Sequence, residues 1–432
     1  MKAVAQETGL NPITIRTWEQ RYGLPRPQRT EGGHRQYTQR DIEIFKWLIA
    51  CQKKGLSIRH AAETWHSLEA QGQDPLSLAA KPQQKLTSVQ LQTTPSNQLD
   101  ELREQWIAAC MAFEREAAEA LLTQAFSYFP AEIVCTELLQ KGIAQIGEGW
   151  YRGDVTVQQE HFATALAVRR LEALVAATSQ PLHSERILIF CAPDDYHVFS
   201  PLLLTFLLLR RGWDVLYLGA NVPTETLNKT VAQIAPKLVI ISAQQLRAAA
   251  NLLDVAKLLQ EQNVMIGYGG LIFNYTPDLR QYMPGHFLGE SLGIALNQIE
   301  TLLTMAEAPT LPPTITSSDT YQKALEEFIS RRAIIESHVW GTFIANNRSI
   351  DHLMQINADF SLTLLAALRL GSMELLGQDS TWINDLLISY RPPQDFIDDY
   401  LFAYYQAAKI HLSESANLIT DWLHTLVADL DP

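Results

Sequence analysis

The segment Arg186–Ser200, which reads RILIFCAPDDYHVFS, constrains the fold of this chain more than any other. Its first part, Ile187 to Phe190, is a short apolar run with β-branched residues, which is typical of a parallel strand covered on both faces. The apolar run from Val198 to Leu209 is long enough for a helix. A buried strand followed by a helix predicts an α/β domain, in which ligands bind at the carboxyl ends of the strands.

His197 lies at such a strand end, two residues after Asp195. A carboxylate can accept the proton of one imidazole nitrogen and leave the other nitrogen to face a metal. Any histidine near an aspartate would meet this description, so the pair gains meaning only from the elements around it.

The segments after this loop continue the alternation of strand and helix. Predicted strands at Asp214–Leu218, Leu238–Ser242 and Val264–Gly267 are separated by helices that begin at Thr224 and near Arg247. This order resembles the cobalamin-binding Rossmann-like domain of methionine synthase, corrinoid proteins and light-sensing MerR-type repressors. The resemblance implies an α/β Rossmann-like domain over residues 184–306.

The resemblance also implies roles for particular residues. In that family an Asp/Glu-x-His-x-x-Gly loop supplies the histidine that replaces the corrinoid's own base under cobalt, and a serine segment and a Gly-Gly pair line the nucleotide tail. The residues expected to bind cobalamin are Asp195, His197, Ser200, Ser242, Gly269 and Gly270, with His197 as the cobalt ligand. Ser200 stands where the family has glycine and narrows the room under the tail, and Gln244 stands where the family often has leucine or threonine.

Residues 99–180 are helical in pattern, with breaks at Pro130 and Gly153-Asp154. The candidate helices are Leu99 to Phe113, Glu114 to Phe129, Ala131 to Gly147 and Val155 to Thr178, and four such helices predict a bundle.

Within this bundle, a tryptophan precedes a Glu-His pair by nine intervening residues. This spacing resembles the helical cap of the light-responsive cobalamin repressors, in which the three residues cover the upper face of the corrin and its adenosyl group. Trp150, Glu160 and His161 are therefore expected to bind the cofactor. The alternative is that Trp150 closes the bundle and that Glu160 and His161 form a solvated face. Tyr151 occupies the place of a histidine that can become the second cobalt ligand in the light-sensing members.

The charge of the chain is divided unevenly. The formal net charge is −13, yet residues 1–70 carry eleven lysine and arginine residues against seven aspartate and glutamate residues, or +4, which leaves −17 for the rest. A basic head before an acidic body suits a protein that contacts DNA through one surface.

That head contains a helix-turn-helix pattern. The predicted second helix, Pro12 to Tyr22, is capped by Asn11 and begins with proline. Ile15 and Trp18 face the core, and the outward residues that could meet bases and phosphates are Thr14, Arg16, Thr17 and Arg21. By itself the pattern also fits an amphipathic surface helix.

The segment after this helix, Pro25 to Tyr37, predicts a β-wing that contacts the phosphate backbone. With the helix, it resembles the winged-helix head of the MerR regulator family over its whole length of about seventy residues. The resemblance implies that a set of basic residues faces DNA: Arg16, Arg21, Arg26, Arg29, His34 and Arg35. Tyr37 is expected to pack the wing or to contact one phosphate.

The remaining segments are two linkers, residues 71–98 and 307–318, and an independent helical domain over residues 319–432. For this domain, dimerisation or partner docking is the default expectation, and a second ligand sensor is the alternative. The longest apolar run is too short to span a bilayer. The four cysteines are scattered, so neither disulfides nor a zinc site is indicated and a cytoplasmic location is expected.

The sequence thus predicts a multidomain chain: an all-α winged helix-turn-helix head (1–70), a four-helix bundle (99–180), an α/β Rossmann-like domain (184–306) and a C-terminal all-α domain (319–432). The predicted function is a cobalamin-dependent transcription regulator, responsive to light through adenosylcobalamin, that binds double-stranded DNA as a homo-oligomer and is not an enzyme. One head offers a small interface, so useful affinity requires two or more. The alternatives are the corrinoid carrier of a methyltransferase or mutase, and a cobalamin-free sensor of redox state or of a partner protein.

Overall fold

The computed structural model describes residues 4, 7–8, 10–29, 35–53, 58, 61–62, 65–66, 69, 76, 95–305, 314–315, 317–346, 351–376 and 394–428. It divides into two compact units, Met1–Thr94 and Pro95–Pro432. His34 and most of the two predicted linkers lie outside the described residues.

The first unit contains a helix, a two-stranded ribbon and a second helix: α1 (Pro12–Tyr22), β1 (Gln28–Arg29), β2 (Arg35–Gln36) and α2 (Gln39–Lys53). β1 and β2 pair antiparallel, with Arg29 opposite Arg35. Ile15 and Trp18 of α1 are buried against Phe45 of α2. The ribbon occupies the position of the wing that the sequence predicted.

The second unit begins with a helical bundle whose elements are α3 (Pro95–Met111), α4 (Arg115–Tyr128), α5 (Ala131–Ile133), a π-helical segment (Val134–Gln140), α6 (Lys141–Arg152) and α7 (Val157–Ala176). The third predicted helix was expected to end at Gly147, but α6 continues to Arg152 and carries Trp150. The helix ends where Gly153 adopts φ +85°, a conformation that glycine accepts without strain. A capping box of Thr156 and Gln159 then begins α7.

A five-stranded parallel sheet follows, with strands β3 (Arg186–Cys191), β4 (Asp214–Tyr217), β5 (Leu238–Ser242), β6 (Met265–Gly269) and β7 (His286–Phe287). Its order is β4-β3-β5-β6-β7, and every neighbouring pair is parallel. The connecting helices are α8 (Phe199–Arg210), α9 (Leu227–Ile234), α10 (Leu246–Gln260), α11 (Ile272–Tyr275), a 3-10 segment (Pro277–Tyr282) and α12 (Leu292–Thr304). Cys191 and Ser242 are register partners, so the loops after β3 and β5 lie side by side.

The bundle and one face of the sheet share a single hydrophobic core. Ile187 and Ile189 of β3 join this core with the bundle residues Trp106 and Leu171. Every residue of α8 from Phe199 to Leu208 except Ser200 is buried, because this helix lies between the sheet and the bundle. The bundle is therefore held at a fixed position beside the sheet.

The described part of the C-terminal region contains the helices α13 (Asp319–Ala345), α14 (Leu353–Leu370), α15 (Gln394–His411) and α16 (Asn417–Val427), with 3-10 turns at Met373–Leu376 and Glu414–Ala416. It has its own aromatic core, which includes Phe328, Phe360 and Tyr404. The sequence predicted an independent domain here. In the structure, Ala366 and Leu370 of α14 instead join the core between the sheet and α10. Small apolar residues on one side of α14 fit against the alanine-rich α10, and composition alone does not reveal such a contact.

Candidate functional site

The loop after β3 is organised around the carboxylate of Asp195, which is 1% exposed. Its Oδ1 accepts hydrogen bonds from Nδ1 of His197 at 2.7 Å and from the backbone N–H of His197 at 3.0 Å. Its Oδ2 accepts from the backbone N–H of Gln244 at 2.8 Å, across the gap between β3 and β5. A buried carboxylate that accepts three hydrogen bonds is held firmly, because the loss of any one of them would leave part of a buried charge without a partner.

The imidazole of His197 is held by one nitrogen and presented by the other. Nδ1 is engaged by Asp195, so Nε2 is the nitrogen left for a metal, and the side chain is 56% exposed. The hydrogen bond to Asp195 raises the pKa of His197 against the lowering effect of burial, and the charges of Asp195 and Glu160 raise it further. A carboxylate partner of this kind orients a ligating histidine and makes it a stronger ligand.

Ser242 and Gln244 lie at the neighbouring strand end. Ser242 is buried, and its Oγ accepts a hydrogen bond from Nε2 of Gln244 at 3.0 Å. The Oε1 atom of Gln244 accepts from the backbone N–H of Leu271 at 2.9 Å. The glutamine that departs from the family pattern therefore bridges the end of β5 and the loop after β6.

The two glycines after β6 have different roles. Gly270 has φ +126°, and an added Cβ would lie 1.9 Å from the carbonyl oxygen of Ala243, so only glycine fits this position. An added Cβ at Gly269 would meet nothing within 4 Å. Gly269 therefore borders open space at the carboxyl edge of the sheet, where a ligand can approach the backbone.

The bundle supplies the remaining expected cofactor residues. Trp150 lies in the last turn of α6, half-buried against the bundle core, and its ring contacts Tyr151 edge-on at 5.1 Å. Glu160 Oε2 accepts from Nδ1 of His161 at 2.7 Å, and Glu160 Oε1 accepts from the hydroxyl of Thr164 at 2.8 Å. The charge of Glu160, in the first turn of α7, is one of the effects that raise the pKa of His197. Ser200 lies in the first turn of α8 and is half-buried.

Two asparagines that sequence reasoning missed support the loop. Asn221 accepts from the backbone N–H of Asp194 at 2.9 Å and donates to the hydroxyl of Tyr196 at 3.0 Å. Asn251 of α10 donates to the carbonyl of Pro193 at 2.8 Å. The Gly-Ala-Asn sequence after β4 is a turn signal that could have pointed to Asn221. Nothing in the sequence around Asn251 distinguishes that residue.

These residues suit a corrinoid. Among the residues that the structure describes, no three His, Cys, Asp or Glu side chains are grouped to hold a metal ion. One oriented imidazole can serve as the protein's ligand to a metal whose other ligands come from a macrocycle. The open space beside Gly269 lies at the same carboxyl edge of the sheet as the loop that carries His197.

In the head, the described basic residues divide into two groups. Arg16, Arg21 and Arg26 are exposed, as is Thr17, while Thr14 is half-buried. Arg35 instead donates to Glu19 at 2.7 Å, and the hydroxyl of Tyr37 donates to the other oxygen of the same carboxylate. Burial raises the pKa of Tyr37, with help from Glu19.

This arrangement ties the wing residues Arg35 and Tyr37 to the recognition helix through Glu19. Of the exposed arginines, Arg26 donates to the carbonyl of Gly23 at 3.4 Å and lies 3.8 Å from the carboxylate of Glu69. The side chain of Arg29 and all of His34 lie outside the part of the chain that the structure describes.

Among the helices that the structure describes, none combines the length and the apolar composition that a membrane span requires.

Comparison with known proteins assigns three segments. Residues 1–68 match the MerR HTH family regulatory protein model, and residues 102–174 and 185–292 match two B12 binding domain models. The chain is 28% identical to the HTH-type transcriptional repressor CarH of Myxococcus xanthus over 261 residues, which are 60% of this chain and 82% of CarH. It is 29% identical to the repressor CarA of the same organism over 260 residues, which are 59% of this chain and 80% of CarA.

Among solved structures, the monomethylamine corrinoid protein of Methanosarcina barkeri covers 48% of this chain and 100% of its own, with a TM-score of 0.39 and 18% identity. The domain composition and the similarity to CarH and CarA agree with the loop geometry around His197. The chain is a CarH-like regulator of the MerR type with cobalamin-binding domains.

Proposed function

We propose that this regulator binds adenosylcobalamin with His197 as the lower cobalt ligand and uses it to couple light to DNA binding. The observation that carries the proposal is the Asp195–His197 pair, which presents Nε2 from an exposed imidazole while Nδ1 is held by a buried carboxylate. Adenosylcobalamin would supply a cobalt–carbon bond that light can break.

The residues of the lower side would bind and orient the cofactor. Asp195 keeps the proton of His197 on Nδ1, and its second oxygen is fixed by Gln244, so the imidazole keeps one orientation. Gly269 and Ser242 would line the path of the nucleotide tail at the edge of the sheet. The hydrogen bonds of Gln244 to Ser242 and Leu271 close one side of this path.

The residues of the bundle would cover the upper side. Trp150 offers a flat apolar surface, and Glu160 and His161 offer hydrogen-bonding groups to a ribose. The largely exposed side chain of His161 would be able to move when the upper group is lost, whereas Trp150 is packed against the bundle core. Tyr151 beside Trp150 is a poor substitute for a ligating histidine. A phenol has an ordinary pKa of about 10 and must lose its proton before it becomes a good ligand.

The head would bind double-stranded DNA through α1 and the wing. Arg16, Arg21 and Arg26 are exposed and can neutralise phosphates. One such head forms a small interface, so we propose that two or more chains associate to bind an operator. The chain would act by binding rather than by catalysis, which agrees with the description of CarH and CarA as repressors.

The decisive experiment reconstitutes the purified full chain with adenosylcobalamin in the dark. Its absorption spectrum and its binding to DNA selected from a random double-stranded library are then recorded before and after illumination. We expect a coloured protein with a histidine-coordinated spectrum, and a change in both spectrum and DNA binding on illumination. A protein that stays colourless would overturn the cobalamin proposal, and a coloured protein that is indifferent to light would overturn the light response alone.

The arginines give a matched test of the DNA proposal. Arg16→Ala should weaken binding and reduce its salt dependence by about one phosphate contact. Arg332, in the C-terminal region, provides the control because its replacement removes the same charge far along the chain. Equal losses in both variants would contradict a specific role for α1.

A further inference from the structure

A polar connection joins the loop that carries His197 to the C-terminal helical region. Asn251 of α10 donates from Nδ2 to the carbonyl oxygen of Pro193 at 2.8 Å and to Oδ2 of Asp194 at 3.1 Å. Its Oδ1 accepts from Nη1 of Arg369 of α14 at 2.7 Å. Three residues separate Pro193 from His197, so one asparagine links the cobalamin loop to a helix more than a hundred residues further along the chain.

The chemistry of Arg369 determines which way this amide points. A guanidinium has donors and no acceptor, so the amide oxygen of Asn251 has to face Arg369 and the amide nitrogen has to face the loop. Arg369 also donates to the carbonyl of Ala250 at 3.2 Å and forms an ion pair with Asp254. A planar guanidinium held by three groups on the same face of α10 is well oriented.

The loop benefits from such support, because Asp194 adopts φ +64°, in the left-handed region, which residues other than glycine seldom adopt although aspartate tolerates it better than most. Backbone strain of this kind persists only when the surrounding structure enforces it. Asn221 holds the N–H of Asp194 from one side, and Asn251 holds its carboxylate and the preceding carbonyl from the other. Without a fixed Asn251, we expect the loop to relax and the orientation of Asp195 and His197 to become less defined.

A second contact between the same two helices does not include the loop. Arg247, near the start of α10, donates to Oδ1 of Asp359 of α14 at 3.2 Å. Between the two arginines lies a cavity of about 250 Å³, which Leu365 also lines. Apolar packing therefore does not fill this part of the interface, and the polar contacts of Arg369 add to the apolar contacts that Ala366 and Leu370 make with α10. The two arginines are similarly exposed, which makes Arg247 a matched control for Arg369.

We propose that the C-terminal region, residues 319–432, braces the cobalamin loop through Arg369 and Asn251 and thereby sets the affinity for cobalamin. Arg369 is a positioning residue, since it acts on the loop through Asn251. By linkage, whatever binds and shifts α14 changes cobalamin affinity, and cobalamin changes that binding by the same factor. The proposal rests on the proposed cobalamin site for its affinity effect, but the bracing of the loop is a property of the protein without cofactor.

The test compares variants of the full chain in two measurements. The first is hydrogen exchange, followed by mass spectrometry, of the peptide that contains residues 192–198 in protein without cofactor. The second is titration with adenosylcobalamin in the dark. We expect Arg369→Ala to speed exchange in this peptide and to weaken cobalamin binding about tenfold, as removal of a supporting residue of a metal ligand does. Arg369→Lys should not restore either value, because an ammonium cannot reproduce the planar contacts.

The controls separate bracing from general loss of docking. Arg247→Ala should leave exchange of residues 192–198 and cobalamin affinity within about twofold of the original protein. The double variant Asn251→Ala/Arg369→Ala should be no worse than Asn251→Ala, because the two residues act in series. Equal effects of Arg247→Ala and Arg369→Ala, or additive effects in the double variant, would overturn the proposal.

The two proposals fail in distinguishable ways. If the unmodified protein does not bind cobalamin, the proposed function fails, while the exchange measurement still decides whether Arg369 braces the loop. If cobalamin binds and Arg369→Ala changes neither exchange nor affinity, the proposed function stands and the brace is overturned.

Discussion

The two sides of the candidate cobalamin site are built differently. On the lower side, the carboxylate of Asp195 receives three hydrogen bonds and is almost completely buried, so His197 has one orientation. On the upper side, the side chain of His161 is 75% exposed and is hydrogen-bonded to the adjacent Glu160. The lower side is therefore organised without a ligand, whereas on the upper side His161 is largely exposed beside a Trp150 that packs against the bundle core.

This difference suggests a division of work. A group that is already ordered loses little freedom when it binds, so a preorganised ligand contributes strongly to affinity. Exposed side chains with few contacts rearrange at small cost, which suits the part of a site that has to respond to a change in the ligand. We therefore expect replacements on the lower side to change affinity and those on the upper side to change the response.

The largest effect is expected at Gly270 on the lower side, where no residue larger than glycine fits. Gly270→Ala places a methyl group against the carbonyl of Ala243 in a backbone conformation with φ +126°, so we expect a loss of about 3 kcal/mol in the free energy of unfolding. Gly269→Ala, whose added methyl group meets no protein atom, should change stability by less than about 1 kcal/mol. Urea unfolding of both variants checks this, and a tolerant Gly270 would show that the lower side is also compliant.

Removal of the proposed cobalt ligand should come next. His197→Ala should lose the histidine-coordinated absorption spectrum and weaken cobalamin binding by on the order of 100-fold, or about 2.7 kcal/mol. His183, whose ring stacks on Trp213 at 4.0 Å, is the control, and His183→Ala should keep both spectrum and affinity. Spectroscopic titration distinguishes the two variants. An unchanged spectrum in His197→Ala would contradict the assignment of His197 as the cobalt ligand.

Asp195→Asn tests whether the carboxylate orients the histidine. An amide of the same shape cannot accept from both Gln244 and His197 without turning its own donor toward one of them, so we expect about tenfold weaker cobalamin binding. Asp214→Asn removes a carboxylate that pairs with Arg186 at the other end of the strands and should leave the affinity unchanged. Titration of both variants with adenosylcobalamin in the dark measures the difference in affinity. Equal affinities of Asp195→Asn and Asp214→Asn would contradict the orienting role of Asp195.

On the upper side, a small effect on affinity is itself the prediction. His161→Ala removes a largely exposed side chain, so cobalamin binding in the dark should weaken less than about threefold. The change in DNA binding on illumination should nevertheless be reduced, because this residue belongs to the part of the site that rearranges. An affinity loss as large as that of His197→Ala would show that both sides are equally preorganised.

The smallest effect concerns the attachment of the bundle to the sheet. Arg210 at the end of α8 donates to Glu132 at 2.6 Å. Burial raises the pKa of Glu132, but hydrogen bonds from its own backbone and from Arg210 outweigh this, and the pKa is lowered overall. Such a carboxylate stabilises the fold at neutral pH, and this contribution is lost as the pH falls through the lowered value.

Because the pair is partly exposed, its contribution should be at most about 1 kcal/mol. Glu132→Gln should therefore be slightly less stable than the original protein at pH 7 in urea unfolding. The free energies of unfolding of the two proteins should converge as the pH falls below the usual glutamate pKa of about 4.3. A difference that persists unchanged at low pH would contradict the assignment to this ion pair.

The lower side was also the more predictable of the two from sequence. The strand before Asp195 and the helix after it follow from apolar runs, and Asp195 and His197 lie two residues apart, so their hydrogen bond is local. The bond from Gln244 to Asp195 joins two strands, and the contact of Asn251 with Pro193 joins a helix to a loop. No local pattern reports such contacts, because they depend on the order of strands in the sheet.

The helical regions show the same limit. The helix that carries Trp150 was predicted to end at Gly147, but a glycine within a helix ends it only when the backbone turns left-handed, as it does at Gly153. The short wing was predictable from its turn residues and basic residues. The engagement of Arg35 and Tyr37 by Glu19 was not, because Arg35 was expected to face DNA, Tyr37 was expected to pack the wing or contact one phosphate, and nothing in the sequence distinguishes Glu19.

Helix α14 takes part in two hydrophobic cores at once: Phe360 belongs to the aromatic core of the C-terminal region, and Ala366 and Leu370 belong to the core of the sheet. A fragment ending near residue 305, cut to isolate the cobalamin-binding part for crystallisation, would therefore expose the apolar face of α10 to water. We expect such a fragment to aggregate unless that face is made polar. The shortest fragment expected to keep the cobalamin-binding part intact is therefore Pro95–Pro432, because it retains the α14 residues that cover α10.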